Sequence, residues 1–113
     1  MTASRGEVWM ADFGAVALVK GHEQAGLRPA LVLSADLFNA AGMVTVLPLT
    51  SKPRPYKTRV AIKPPEGGLT VPSWIVGEQV RTISTSRLRR RMGVVRPTTI
   101  TAVEDVVRML LGL

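Results

Sequence analysis

Cysteine does not occur in these 113 residues, and histidine occurs once. Disulfides and thiolate metal sites are therefore excluded, and one imidazole among scattered carboxylates makes a poor ligand set for a metal or a metal-bound cofactor. Also missing are a G-x-S-x-G nucleophile elbow, a phosphate-binding P-loop and a G-x-G-x-x-G dinucleotide fingerprint. Arg5, Glu7, Asp12 and Lys20 interrupt the apolar positions of residues 1–20, so neither a signal-peptide core nor a membrane span is expected. The expected location is the cytoplasm. Acidic residues are scarce, eight against fifteen Lys and Arg. Between Lys52 and Arg96 the basic residues exceed the acidic ones by nine, more than the net +7 of the whole chain. Such a field concentrates a polyanion, with nucleic acid ahead of an acidic protein surface.

What the chain does have is apolar content, 46% of residues, enough for one hydrophobic core in a single domain spanning 1–113. "EVWMADF" alternates with Trp9, Ala11 and Phe13 on one face of a strand. "RPALVLS" is too short and too branched for a helix, and is read as a second strand. "ADLFNAAG" reads as a short helix with Ser34 as N-cap. "MVTVLPLTS" is a strand in which Pro48 argues for an edge or a bulge, bringing Thr50 and Ser51 to a rim. "TRVAIKP" alternates with Val60 and Ile62 inward and Arg59 and Lys63 outward. "WIVGEQVRTIS" reads as one strand bent at Gly77, and "RLRRR" as a mostly solvated strand. After Pro97, Ile100, Val103, Val107 and Leu110 form the covering face of a final amphipathic helix, ended by Gly112. Trp9, Trp74 and Phe13 are assigned to the core or to an interface between copies. The expected fold is mainly β: a small, strongly bent antiparallel sheet or partial barrel with a C-terminal helix.

The residues left for chemistry suit phosphodiester work without a metal: His22, Arg28, Thr50, Ser51, Glu78 and Arg81. A basic loop, "SKPRPYK", sets Lys52, Arg54 and Lys57 beside Tyr56, the only tyrosine, as single-stranded RNA binding requires.

The ordered set "RGEVWMADF", "GHEQAGLRPALVLS", "VTVLPLTS" and "GEQVRTIS", followed by a C-terminal helix, resembles the MazF/PemK/Kid family of toxin endoribonucleases over nearly the whole chain. The resemblance implies a homodimeric plasmid-maintenance-toxin barrel related to SH3-like barrels. It also implies metal-independent, sequence-selective cleavage of single-stranded RNA, mRNA above all, leaving 2′,3′-cyclic phosphate and 5′-hydroxyl ends. A cognate antitoxin with an acidic and apolar C-terminal segment is the implied partner. By position, the catalytic arginine falls on Arg28 and the threonine on Thr50 with Ser51 beside it; the loop histidine falls on His22, next to Glu23 and Gln24. The acid falls on Glu78, followed by Gln79 and Arg81, where the family usually has aspartate. Some members carry an arginine two positions before that acid; Val76 stands there in this chain, so its role must be absent or pass to Arg81 or a loop residue. If Glu78 has no direct catalytic role, it is expected to pair with Arg81 or Arg28. Two competing functions stay open at this point: a gyrase-poison-like toxin of the same shape, and a basic RNA-binding barrel without catalysis.

Overall fold

The computed structural model describes residues 2–14 and 26–113. His22, Glu23 and Gln24 therefore lie outside the described residues. Among the described residues seven strands make one antiparallel sheet: β1 (Glu7–Asp12), β2 (Leu27–Val32), β3 (Met43–Thr50), β4 (Arg59–Ile62), β5 (Ser73–Val76), β6 (Arg81–Ser84) and β7 (Leu88–Val94). Two α-helices accompany them there, α1 (Asp36–Asn39) and α2 (Pro97–Leu111). The strand path is β4-β5-β3-β2-β1-β7, with β6 also paired to β3. The two ends of that path, β4 and β7, do not pair, so the sheet is bent but not closed.

Strand β3 organises the sheet because it is long enough to serve three neighbours. One edge meets β2 from Val46 to Pro48. The other meets β6 from Met43 to Val46 and then β5 from Leu49 to Thr50. Pro48 falls between the last pairing with β6 and the first with β5. The proline that argued for an edge or a bulge thus sits in an interior strand, at the step between two partners where a missing N–H is tolerated.

Alternation sends side chains of β1, β2 and β3 into two cores. Trp9, Ala11, Phe13, Ala30, Val32, Val44, Val46 and Ile83 share one. Val8, Leu31, Leu47, Leu49, Ile62, Ile75 and Val103 share the other, covered by Ile100 and Val107 of α2. The tryptophan Trp9 and the phenylalanine Phe13 are core residues, as expected, and Trp74 is half-buried on β5. Helix α2 begins with Pro97 in its first turn and stops at Gly112 in the left-handed conformation. No side chain of its own caps it; Glu66, from the turn before β5, accepts from the Arg96 backbone N–H at 2.9 Å and the Thr99 hydroxyl at 2.5 Å.

Three local expectations are corrected. Ser34 does not cap α1: Ala35 holds that position, and the Ser34 hydroxyl instead pairs with the Asn39 side chain and accepts the Thr45 N–H at 2.9 Å. The "WIVGEQVRTIS" segment is two strands split by a turn at Gly77–Gln79. The turn needs glycine, since a Cβ at Gly77 would lie 2.5 Å from both the Thr58 carbonyl oxygen and Val106 Cγ1. Arg59 faces away from the core as expected, yet its side chain is only 8% exposed.

Candidate functional site

At the end of β3 the apolar pattern stops. The face carrying Val44 and Val46 in the core runs on to Thr50, the strand's last residue, which is buried although polar. The β2–β3 register, Ala30 opposite Pro48, carries forward to put Arg28 opposite Thr50. In antiparallel sheets opposed residues share a face. Thr50 in turn opposes Trp74 on β5, and Val76, two residues on, opposes Arg59 on β4. Four strands thus bring Arg28, Thr50 and Arg59 to one side of the sheet.

A cavity of about 850 Å³ opens at this end of the sheet, where Arg28, Thr50 and Arg59 meet Pro29 of β2 and Leu49 of β3 from the other face, with Glu78 around the β4–β5 end. Ser51, Lys52, Arg54 and Tyr56, from the loop after β3, and Gln79 border it too. Two residues nominated for RNA contact do not. Lys57 is exposed outside the cavity wall. Arg81 lies with its guanidinium carbon 5.4 Å from the centre of the Phe13 ring, a cation–π contact against the first core.

Arg28 is half-buried, with Nη1 3.5 Å from the Leu49 carbonyl oxygen. Burial lowers its pKa from the ordinary arginine value. An arginine titrates so far above neutrality that it still carries its charge there. The Thr50 hydroxyl oxygen accepts the Lys52 N–H at 3.2 Å, which fixes the hydroxyl and leaves its O–H to donate. A planar cation beside a hydroxyl donor can hold a phosphoryl group by two or three hydrogen bonds.

Glu78 does not pair with Arg28 or Arg81. Its Oε2 accepts from Arg59 Nε at 2.9 Å and Nη2 at 2.7 Å, and its Oε1 accepts from the Thr58 hydroxyl at 2.7 Å. Burial opposes ionisation of this carboxyl, but the hydrogen bonds from Arg59 and Thr58 outweigh it and hold the pKa below the usual glutamate value. On its other side Arg59 stacks on Tyr56, 5.1 Å from the ring centre.

Sequence reasoning passed over Arg59, Arg90, Ser73 and the turn residues Gly68 to Val71, all of which line the cavity. For Arg59 the signal was present. Alternation in "TRVAIKP" put it opposite the core face, and on this strand the face opposite the core is the site. Arg90 was legible only as one of a charged run. The turn residues carry no such signal, because only the fold brings Gly68 against β7, where a Cβ would lie 2.0 Å from the Met92 carbonyl oxygen. Among the described residues no cluster of three or more His, Asp or Glu could hold a metal ion, and no helix is long and apolar enough to cross a membrane.

Known proteins are similar to this chain in sequence and fold. Residues 4–111 match the model of the PemK-like, MazF-like toxins of type II toxin–antitoxin systems. The chain is 33% identical to Endoribonuclease MazF9 of Mycobacterium tuberculosis over 96% of both chains. It is 34% identical to Endoribonuclease EndoA of Bacillus subtilis over 78% of this chain and 76% of the relative. Among solved structures, MazF of Deinococcus radiodurans superposes with a TM-score of 0.87 at 26% identity, covering 100% of this chain and 99% of that one. A mycobacterial endoribonuclease solved in complex with its cognate antitoxin gives 0.79 at 26% identity, covering 98% and 96%. With a bent seven-stranded sheet, a basic cavity at the end of β3 and a match over nearly all its length, this chain belongs to the PemK-like, MazF-like toxins of type II toxin–antitoxin systems.

Proposed function

We propose that the chain, as one toxin domain over residues 1–113, is a metal-independent endoribonuclease that cuts single-stranded RNA. The observation that carries this reading is the placement of Arg28 opposite Thr50 at the mouth of a basic cavity. In RNA the 2′-oxygen attacks its own neighbouring phosphorus, the P–O5′ bond breaks, and a 2′,3′-cyclic phosphate and a 5′-hydroxyl result. The enzyme must orient that phosphate, neutralise charge on its oxygens, accept the 2′ proton and return one to O5′. Arg28 stabilises the phosphoryl oxygens through its fork of N–H donors, and Thr50 adds a third hydrogen bond. His22 has the natural pKa to move the proton. Glu78 is held ionised by two partners and serves to position them rather than to act as base.

Ser51, Lys52, Arg54, Tyr56 and Gln79 flank this centre and guide the strand: cations follow the backbone, and the tyrosine ring offers a stacking face. Glu23 and Gln24, next to His22 in the sequence, are assigned to RNA contact by the resemblance. The physiological form is a cytoplasmic homodimer, silenced by an antitoxin whose acidic and apolar C-terminal segment fills the basic cavity. Incubating the protein with single-stranded RNA in EDTA tests the activity. Cleavage with cyclic-phosphate ends is expected, with loss of cutting when the nucleotide 5′ to the scissile bond is a deoxynucleotide. Arg28→Ala should lower the rate about 10²- to 10³-fold. Intact RNA with the wild-type protein would leave only a binding protein.

A further inference from the structure

We propose that Arg59 is a second cation of the RNA site, presenting N–H donors to the phosphate that Arg28 holds, with Glu78 and Tyr56 as the clamp that aims it. The inference rests on the endoribonuclease reading above and adds a residue to it. An arginine that only ties a strand to a turn can lie on the surface and spend its donors on its carboxylate, whereas Arg59 is withdrawn from the surface and spends only part of its donors that way. Its side chain is 8% exposed and forms part of the cavity wall. Of the five N–H donors of a guanidinium, two are engaged by Glu78 Oε2. No other side-chain hydrogen bond of Arg59 occurs among the described residues, which leaves three donors for the cavity.

The clamp is unusually complete for one side chain. Glu78 fixes the guanidinium edge, and the Tyr56 ring covers its face at 5.1 Å. Thr58 immobilises the carboxylate in turn through its other oxygen, at 2.7 Å. Gly77, whose N–H donates to the Thr58 carbonyl at 2.9 Å, ties the turn carrying Glu78 to the start of β4. Holding an arginine this firmly costs rotamer freedom before any ligand arrives, so less is lost when a phosphate binds. The face is also right, since Arg59, Thr50 and Arg28 share one side of the sheet by register. A phosphate gaining charge during attack is the ligand that rewards two guanidinium forks and a hydroxyl.

The test compares wild type, Arg59→Ala, Arg59→Lys and Glu78→Gln on single-stranded RNA, with thermal denaturation run in parallel. Arg59→Ala should lower kcat about 100-fold. Arg59→Lys keeps the charge and most of the stem but loses the planar fork; it should stay folded and recover less than a tenth of the lost rate. Glu78→Gln should lower the rate less than Arg59→Ala and leave the shape of the pH–rate profile intact, because a clamp is not a proton acceptor. Folded Arg59→Ala and Arg59→Lys proteins that cleave within about twofold of wild type would overturn the assignment. So would a Glu78→Gln profile that has lost its acidic limb, which makes the carboxylate the base. Wild-type protein that leaves RNA uncut overturns the endoribonuclease reading itself, and with it this inference.

Discussion

Thr50 shows how one side chain serves both fold and site. Its hydroxyl takes the Lys52 N–H and so shapes the exit from β3, while its place opposite Arg28 is what the proposed role at the phosphate rests on. Thr50→Val keeps the shape and removes the hydroxyl. The expected result is a loss of about 1 kcal/mol in stability from the missing acceptor, with a roughly 100-fold fall in cleavage; denaturant unfolding and a cleavage assay separate the two. Arg28 and Thr50 were legible in the sequence because each stands where an apolar run meets a polar loop. The partner of Glu78 was not. The sequence points to the nearby Arg81 or to Arg28, but Arg59 lies 19 residues away and meets Glu78 only because β4 pairs with β5. Alternation says which way Arg59 points, not which strand it lies against.

At the scale of elements, the turn at Gly77–Gln79 joins structure to chemistry. It interrupts what the sequence presents as one strand, and it does so where Thr58 and α2 press against Gly77. Gly77→Ala must push the turn off one of them. Circular dichroism should show the fold retained, with stability lowered by about 1–3 kcal/mol from overpacking and cleavage lowered further than Glu78→Gln lowers it. Helix α2 has a different dependence, because its N-terminal cap comes from Glu66 on another element. Glu66→Ala should cost about 0.5–2 kcal/mol in denaturant unfolding without changing cleavage at a temperature where both proteins are folded. The α2 boundaries were readable from Pro97, Gly112 and the spacing of its apolar face. Its cap was not, since a cap supplied from 30 residues upstream leaves no local mark.

For the molecule as a whole, the excess of basic residues gives six of the seven described Asp and Glu side chains an arginine partner, all but Asp36, and acid removes that benefit. Glu7 is partly desolvated, which raises its pKa, but hydrogen bonds from the Ser4 N–H, Arg91 and Trp9 bring it below the ordinary value. Glu78 is lowered likewise. A carboxyl with a depressed folded-state pKa stabilises the fold at pH above its unfolded value, and the benefit disappears as pH falls through the folded value. Thermal midpoints should therefore be level near neutrality and fall below the usual carboxylate range; Glu78→Gln should flatten that fall. The antiparallel, mainly β architecture was legible from short alternating runs, and the bent sheet, open between β4 and β7, matches the partial barrel they imply. The sharing of β3 among β2, β5 and β6 carries a kinetic consequence. Arg28 and Thr50 belong to the β2–β3 pair and Arg59 and Glu78 to the β4–β5 unit, so neither pair of consecutive strands contains the whole site. The β3–β5 pairing that joins them closes a longer stretch of chain and forms later. A ribosome-bound or half-refolded toxin is harmless on this account, and ribonuclease activity should return on refolding in step with the tryptophan near-ultraviolet signal, never ahead of it.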